Sequence, residues 1–315
     1  MTYKVLISAP YMIPFIDRFR SFLESNNIDI ILPEVNERLE EEDLLRYIED
    51  IDGIICGDDR FTERVLDHAK RLKVISKWGT GIDSINKSEC NKRGIVVRNT
   101  PNAFTVPVSD SVLAYILNFA RNISFMDKAM KSGEWKKISG HALHEATLGV
   151  IGVGNIGKSV LRKAKAFGMN LVAHDIIPIP TDLIIELNLK VVSFEELLKQ
   201  SDYVSLNCDL NETSFHLMNE DAFNMMKSNS VLINSARGPL VHEEALVKAL
   251  SEGKIRGAAL DVFEEEPLPY DSPLMKMDQV MLAPHNTNSS PFAWESVHKS
   301  TINNLLESLG LKGRL

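Results

Sequence analysis

Short apolar runs alternate with longer stretches of helical period along this chain. In the first third, residues 3–8 (YKVLIS), 28–32, 53–56 (GIIC) and 74–77 read as strands: each is short and rich in β-branched residues. Between them, residues 15–25, 43–49 and 63–69 carry apolar side chains three and four positions apart, the spacing that lines one face of a helix. The alternation resumes at 148–153 (LGVIGV), which has no polar residue and suits a strand buried on both faces. A helix is expected over 156–167, then strands at 170–174, 203–206, 231–234, 255–260 and 280–283. Ser193, three residues before Glu196, supplies the reciprocal pair that opens a helix. Strands separated by helices pair in parallel, because a parallel neighbour needs a crossover. The fold class is therefore α/β, with two Rossmann-like doubly wound parallel-sheet domains.

Residues 110–121 (DSVLAYILNFAR) break the rhythm. They are apolar almost all round, with Val112, Tyr115, Ile116 and Phe119 on one stripe. A helix without a polar face is buried. This one is expected to pack between domains, between subunits, or both, with Met126, Met130 and Trp135 extending its surface towards a homodimer contact.

Length agrees with two domains: 315 residues at about 150 per domain. Charge narrows the partners. Lys and Arg number 35 against 43 Asp and Glu, a net −8, too little cationic surplus for nucleic acid or an anionic membrane surface. An anionic small substrate stays open, since a pocket can hold local positive charge. The three cysteines, Cys56, Cys90 and Cys208, form neither a CxxC pair nor a metal knuckle and point to a reducing, cytoplasmic setting. The longest early charge-free run, residues 5–16, contains two prolines and falls short of the roughly 20 residues a membrane span needs. No basic leader with a cleavage site is read before it, and no appended domain is expected after Leu315.

The first chemistry is a glycine motif. Gly152, Val153, Gly154, Asn155, Ile156 and Gly157 form G-x-G-x-x-G between a buried strand and a helix, and Asp175 lies 18 residues beyond the last glycine. Gly152 permits a tight turn, Gly154 lets backbone approach a pyrophosphate, and Gly157 lets helix and strand pack closely. The free N–H groups of the helix start then face the anion. Asp175 suits the adenosine ribose hydroxyls. A 2′-phosphate would meet its carboxylate, and Ile176, Ile177 and Pro178 bring no cation, which favours NAD over NADP.

Downstream segments resemble a known family. Residues 231–241 (VLINSARGPLV), 261–268 (DVFEEEPL) and 283–285 (APH) are similar to signature segments of the D-isomer-specific 2-hydroxyacid dehydrogenases, as are 79–83 (GTGID) and 99–101 (NTP). The resemblance spans nearly the whole chain, in order. It implies a discontinuous substrate domain of residues 1–102 with 290–315, and an NAD-binding domain of 103–289. It implies hydride transfer between nicotinamide and a small anionic (R)-2-hydroxy or 2-keto acid, 3-phosphoglycerate or glyoxylate/hydroxypyruvate among the candidates. Arg237 would bind the carboxylate and polarise the carbonyl, because a guanidinium stays charged and grips a carboxylate bidentately. His285 would exchange the proton, its ordinary pKa being near neutrality. Glu266 would orient the imidazole. Taken singly, each is an ordinary loop residue; their joint occurrence in three separate signature segments carries the assignment.

The resemblance further implies that Gly79, Thr80 and Gly81 cradle the substrate carboxylate. It places Cys208, Thr213, Ser235, Ala236 and Asp261 beside the cofactor. Several positions depart from the family. Asp209 stands where Pro is common. His242 replaces a common Asp and is expected to weaken a helix cap. The segment after His285 (NTNSSP) differs from the usual one. Phosphoglycerate dehydrogenases commonly carry an Arg near Cys56; here Arg60 is the nearby cation, with Asp58 and Asp59 opposing a phosphate. The contrasting reading is a non-catalytic NADH-sensing interaction protein of the same fold, which the complete Arg–Glu–His set disfavours. Formate oxidation ranks lower, because that branch usually has Gln where Glu266 stands.

Overall fold

In the first third of the chain, each apolar run becomes a strand: β1 (Tyr3–Ile7), β2 (Ile28–Ile31), β3 (Gly53–Cys56) and β4 (Val74–Lys77). They are linked by α1 (Asp17–Ser25), α2 (Glu41–Leu45), α3 (Glu63–His68) and, after β4, α4 (Lys87–Lys92), which leads to β5 (Val96–Arg98). Helix α3 opens on Thr62, whose hydroxyl accepts from the Val65 N–H. The sheet is all parallel in the order β2-β1-β3-β4-β5. The computed structural model describes residues 2–315 and divides them into two units, the segment up to Phe104 with Ser290–Leu315, and Thr105–Ser289.

The second unit begins with α5 (Thr105–Arg121) and α6 (Ile123–Lys131). Then follow β6 (Thr147–Ile151), α7 (Asn155–Ala166), β7 (Asn170–His174), α8 (Thr181–Leu187) and β8 (Lys190–Val191). The chain continues through α9 (Phe194–Gln200), β9 (Tyr203–Leu206), α10 (Glu220–Met225), β10 (Val231–Asn234), α11 (Glu243–Ser251), β11 (Gly257–Leu260) and β12 (Val280–Leu282). All seven strands are parallel, in the order β12-β11-β10-β9-β6-β7-β8. The order reverses between β6 and β9, and ligands of such sheets bind at the carboxyl ends of the strands beside that reversal. Finally α12 (Pro291–Ser308) returns to the first unit, where Thr301 O accepts from Ser76 Oγ at 2.8 Å.

One expectation is corrected here. Helix α5 starts at Thr105, five residues early, and its apolar stripe is used inside its own unit: Val112, Ile116 and Phe119 lie in the core with Val160 and Leu161 of α7. Arg256 donates to Phe119 O at 2.8 Å and closes the end of that helix. His242 caps α11, its Nδ1 accepting from the Ala245 N–H at 3.3 Å. The Ser193–Glu196 pair opens α9 with both reciprocal bonds.

Candidate active site

The glycine turn between β6 and α7 has the shape its spacing implies. Gly152 sits at φ +87°, and a Cβ there would stand 2.5 Å from the Cys208 backbone nitrogen. A Cβ on Gly157 would stand 2.1 Å from Gly152 O, so only glycine lets α7 close on the turn. Gly154 faces open space and brings no capping side chain to the start of α7. Backbone N–H groups and room for an anion thus coincide at a helix N-terminus. Asp175 follows β7 and stitches the turn: Val153 N–H donates to its Oδ2 at 2.6 Å and Ile177 N–H to its Oδ1 at 2.9 Å. Ile176 and Ile177 beside it are largely exposed and offer no cation to a 2′-phosphate.

Two buried polar atoms at neighbouring strand ends have no partner in the protein, Asn207 Oδ1 after β9 and Ser235 Oγ after β10. An unmade buried hydrogen bond costs about 1–3 kcal/mol, so such atoms fit a ligand that supplies the bond. Burial pushes the Cys208 thiol up to about 11, which leaves it a packing residue rather than a nucleophile. Thr213 is exposed, and its hydroxyl donates to Asn211 Oδ1 at 2.7 Å. An open recess of about 410 Å³ beside it is lined by Leu210, Asn211, Glu212 and Phe215. Ala236 N–H donates to Asn234 Oδ1 at 3.1 Å, which sets the backbone course into Arg237. These residues fit a dinucleotide along the carboxyl edge of the sheet.

Further along the same edge, the three signature segments meet. His285 follows β12 at φ +50°, a conformation that costs a side-chain-bearing residue energy and must be held. Its N–H donates to Asp261 O at 2.8 Å. Asp261, expected beside the cofactor, has no exposed surface, and its carboxylate accepts from Asn286 N–H (2.7 Å), Thr287 N–H (2.9 Å) and Thr287 Oγ1 (2.5 Å). It therefore holds the loop that carries His285. His285 Nδ1 lies 2.9 Å from Glu266 Oε2, and Glu266 Oε1 accepts from the Phe263 N–H at 2.9 Å. With Nδ1–H directed at the carboxylate, the orientation of the ring is set.

Arg237 leaves β10 half-buried, with one guanidinium nitrogen donating to Ala236 O at 2.8 Å. The next residue brings its segment to the Glu266 segment: a Cβ on Gly238 would stand 1.8 Å from Phe263 O and 2.6 Å from Glu264 N. Glu264 pairs with His216 and accepts from the Glu243 N–H at 3.1 Å. The sequence reading passed over this brace, as it did the anchoring role of Asp261.

In the first unit, Gly79 follows β4 at φ +128°, and its carbonyl accepts from the Thr100 N–H at 3.0 Å. Thr80 Oγ1 donates to Thr100 O at 3.2 Å, and Asn99 Nδ2 donates to Thr80 O at 2.6 Å. Arg60 is exposed, and the buried cation at these strand ends is Lys77. A lone lysine closing an apolar four-residue strand just before Gly79 was its signal in the sequence. Trp78 is buried among Tyr11, Phe104 and Trp294, and its indole N–H donates to His298 Nδ1 at 2.9 Å. Burial holds the His298 imidazole below its ordinary pKa, in keeping with that acceptor role. Among the described residues, no helix is long and apolar enough to cross a membrane.

The family model for the NAD binding domain of D-isomer specific 2-hydroxyacid dehydrogenases matches residues 113–287. A D-3-phosphoglycerate dehydrogenase of Methanocaldococcus jannaschii is 40% identical over 261 residues, 82% of this chain but 49% of that protein, so the chain spans about half that relative's length. A glyoxylate reductase of Thermococcus gammatolerans is 36% identical over 313 residues, 96% of this chain and 92% of its own. Among solved structures, a D-lactate dehydrogenase from Aquifex aeolicus, complexed with NAD and lactic acid, matches with a TM-score of 0.86 at 27% identity, over 98% of this chain and 97% of that one. A family model covering more than half of the residues, and a relative this similar across four fifths of them, mean that the chain belongs to the D-isomer-specific 2-hydroxyacid dehydrogenases, the matched NAD binding domain lying within its second unit.

Proposed function

We propose that this protein transfers a hydride between nicotinamide and a small (R)-2-hydroxy acid or its 2-keto acid, glyoxylate and hydroxypyruvate being the leading keto acids. The observation that carries this reading is the 2.9 Å bond between His285 Nδ1 and Glu266 Oε2, on the same sheet edge as the glycine turn. NADH, when bound, supplies the hydride. As the keto carbon is reduced, negative charge gathers on its oxygen, and Arg237 stabilises that charge while gripping the substrate carboxylate. His285 delivers a proton from Nε2 to the oxygen, and in the reverse direction takes it back. Glu266 fixes the orientation of the ring through the Nδ1 bond. The backbone N–H groups of Gly79, Thr80 and Gly81 are assigned to the substrate carboxylate as well.

The three unpaired cysteines suit a cytoplasmic setting. Exposed apolar side chains of Ile123 (52%), Met130 (51%) and Trp135 (87%) suit a homodimer contact, which sedimentation equilibrium would test: a monomer at micromolar concentration removes it. The activity is tested by NADH oxidation across a panel of 2-keto acids. Turnover of at least one small member is expected, and none across the panel would defeat the reading.

A further inference from the structure

His216 closes a clasp over three loops of the second unit. The loop after β9 reaches it through a turn built on Asn211, whose carbonyl accepts from the Phe215 N–H at 2.9 Å. His216 then takes φ +50°, a conformation that costs a side-chain-bearing residue energy. Its own N–H donates to Pro239 O at 2.8 Å, and Met218 N–H to Leu240 O at 2.9 Å. Residues 216–218 are thus stitched to the segment that follows Arg237. The side chain reaches the third loop. Phe215 stacks on the imidazole with 3.9 Å between ring centroids, the His242 ring stands edge-on at 4.7 Å, and Nε2 bonds to Glu264 Oε1. With a carboxylate as its partner, Nε2 carries the hydrogen.

Glu264 belongs to the turn that sets Glu266. Phe263 N–H donates to Glu266 Oε1 at 2.9 Å, and Glu266 Oε2 lies 2.9 Å from His285 Nδ1. Like charges crowd this turn: Glu264, Glu265 and Glu266 are consecutive, and Glu243 packs against them through its N–H to Glu264 Oε2. A donor from His216 offsets that repulsion at Glu264. The pair is a poor source of stability, since its side chains are 28% and 31% exposed and such ion pairs contribute little. Strain at His216 in return for so little invites a functional account. Resting on the reading of His285 as the group that moves the proton, we propose that His216 is a positioning residue of the reaction. Through Glu264 it fixes the 263–266 turn, and through Glu266 the angle of the His285 ring.

The test is steady-state reduction of glyoxylate or hydroxypyruvate with NADH, with NADH affinity and Tm measured on each protein. His216→Leu keeps bulk and removes the donor. Its kcat should fall about 10–100-fold, with KM for the keto acid and NADH affinity within about threefold of wild type. His216→Gln carries an amide N–H to nearly the same point and should restore kcat to within about threefold. In a His285→Gln background, His216→Leu should cost nothing further, because the ring it positions is gone. A brace that only holds the structure would lower the residual rate again. A folded His216→Leu with wild-type kcat overturns the proposal, as does a full second loss in the His285→Gln background, or a His216→Gln no better than His216→Leu. Should His216→Leu not fold, Glu264→Ala removes the same bond from the other side and must show the same fall. Failure of both to fold overturns the proposal, since the pair would then hold the fold rather than the ring. Wild-type turnover beside an unchanged His216→Leu leaves the dehydrogenase reading standing; no wild-type turnover of any keto acid, or a His285→Gln enzyme at the wild-type rate, overturns both.

Discussion

Asp59 shows most clearly how one buried group is set by its surroundings. Burial raises its carboxyl from 3.8 to about 6, against the Leu39 N–H, the Ser8 hydroxyl and the Lys77 charge, which all favour ionisation. The native state therefore holds this proton more tightly than the unfolded chain does. Stability from this group is greatest below about pH 4, falls as pH rises towards 6, and is flat above. The span of the effect is about 2–3 kcal/mol. Asp59→Asn keeps an acceptor for Leu39 and removes the titration. Urea unfolding between pH 4 and 7 should show the wild type losing stability relative to this variant as pH rises, and a constant difference would refute the assignment. Lys77, Asp58 and Asp59 were visible as charges in the sequence, but their pairing was not, because it forms across the tips of two neighbouring strands.

Loops and their anchors decide the site at the next scale. The strands at 53–56, 74–77, 170–174, 203–206 and 231–234 were legible to the residue, because polar neighbours bound each apolar run. Strand β5 was not: it has three residues, two of them exposed, and carries no apolar periodicity. Strand β8 is two exposed residues long and equally silent. The Arg237, Glu266 and His285 segments were legible from their motifs, whereas what joins them was not. Gly238 lies against the Phe263 backbone, and Asp261 ties down the loop after β12. Gly238→Ala tests that arrangement. Its Cβ meets backbone, which cannot rotate away, so a cost of about 1–3 kcal/mol is expected. In a unit of this size, that lowers Tm by about 2–4 °C per kcal/mol. Because Arg237 and Glu266 shift together, kcat should fall with NADH affinity largely kept. Calorimetry and kinetics showing both Tm and kcat unchanged would contradict the packing described.

Across the whole molecule, two parallel sheets divide the work. The second unit carries the glycine turn, the unpaired Asn207 and Ser235 atoms, and the Arg237, Glu266 and His285 segments; the first carries the 79–81 loop. A cofactor that binds only the folded protein stabilises it by mass action, about 2.7 kcal/mol at 100 times Kd. NADH should therefore raise Tm, while NADPH at the same concentration should raise it far less, since Asp175 opposes its 2′-phosphate and Ile176 and Ile177 offer no counter-charge. Equal shifts from the two would refute that assignment.

The central claim is that His285, held by Glu266, moves the proton that accompanies hydride transfer. It is tested most directly by comparing wild type with His285→Gln in NADH-dependent reduction of glyoxylate or hydroxypyruvate, with NADH affinity measured on both proteins. The account predicts a fall in kcat of about 10²–10⁴-fold with NADH affinity preserved. A His285→Gln enzyme that reduces the keto acid at the wild-type rate would contradict it.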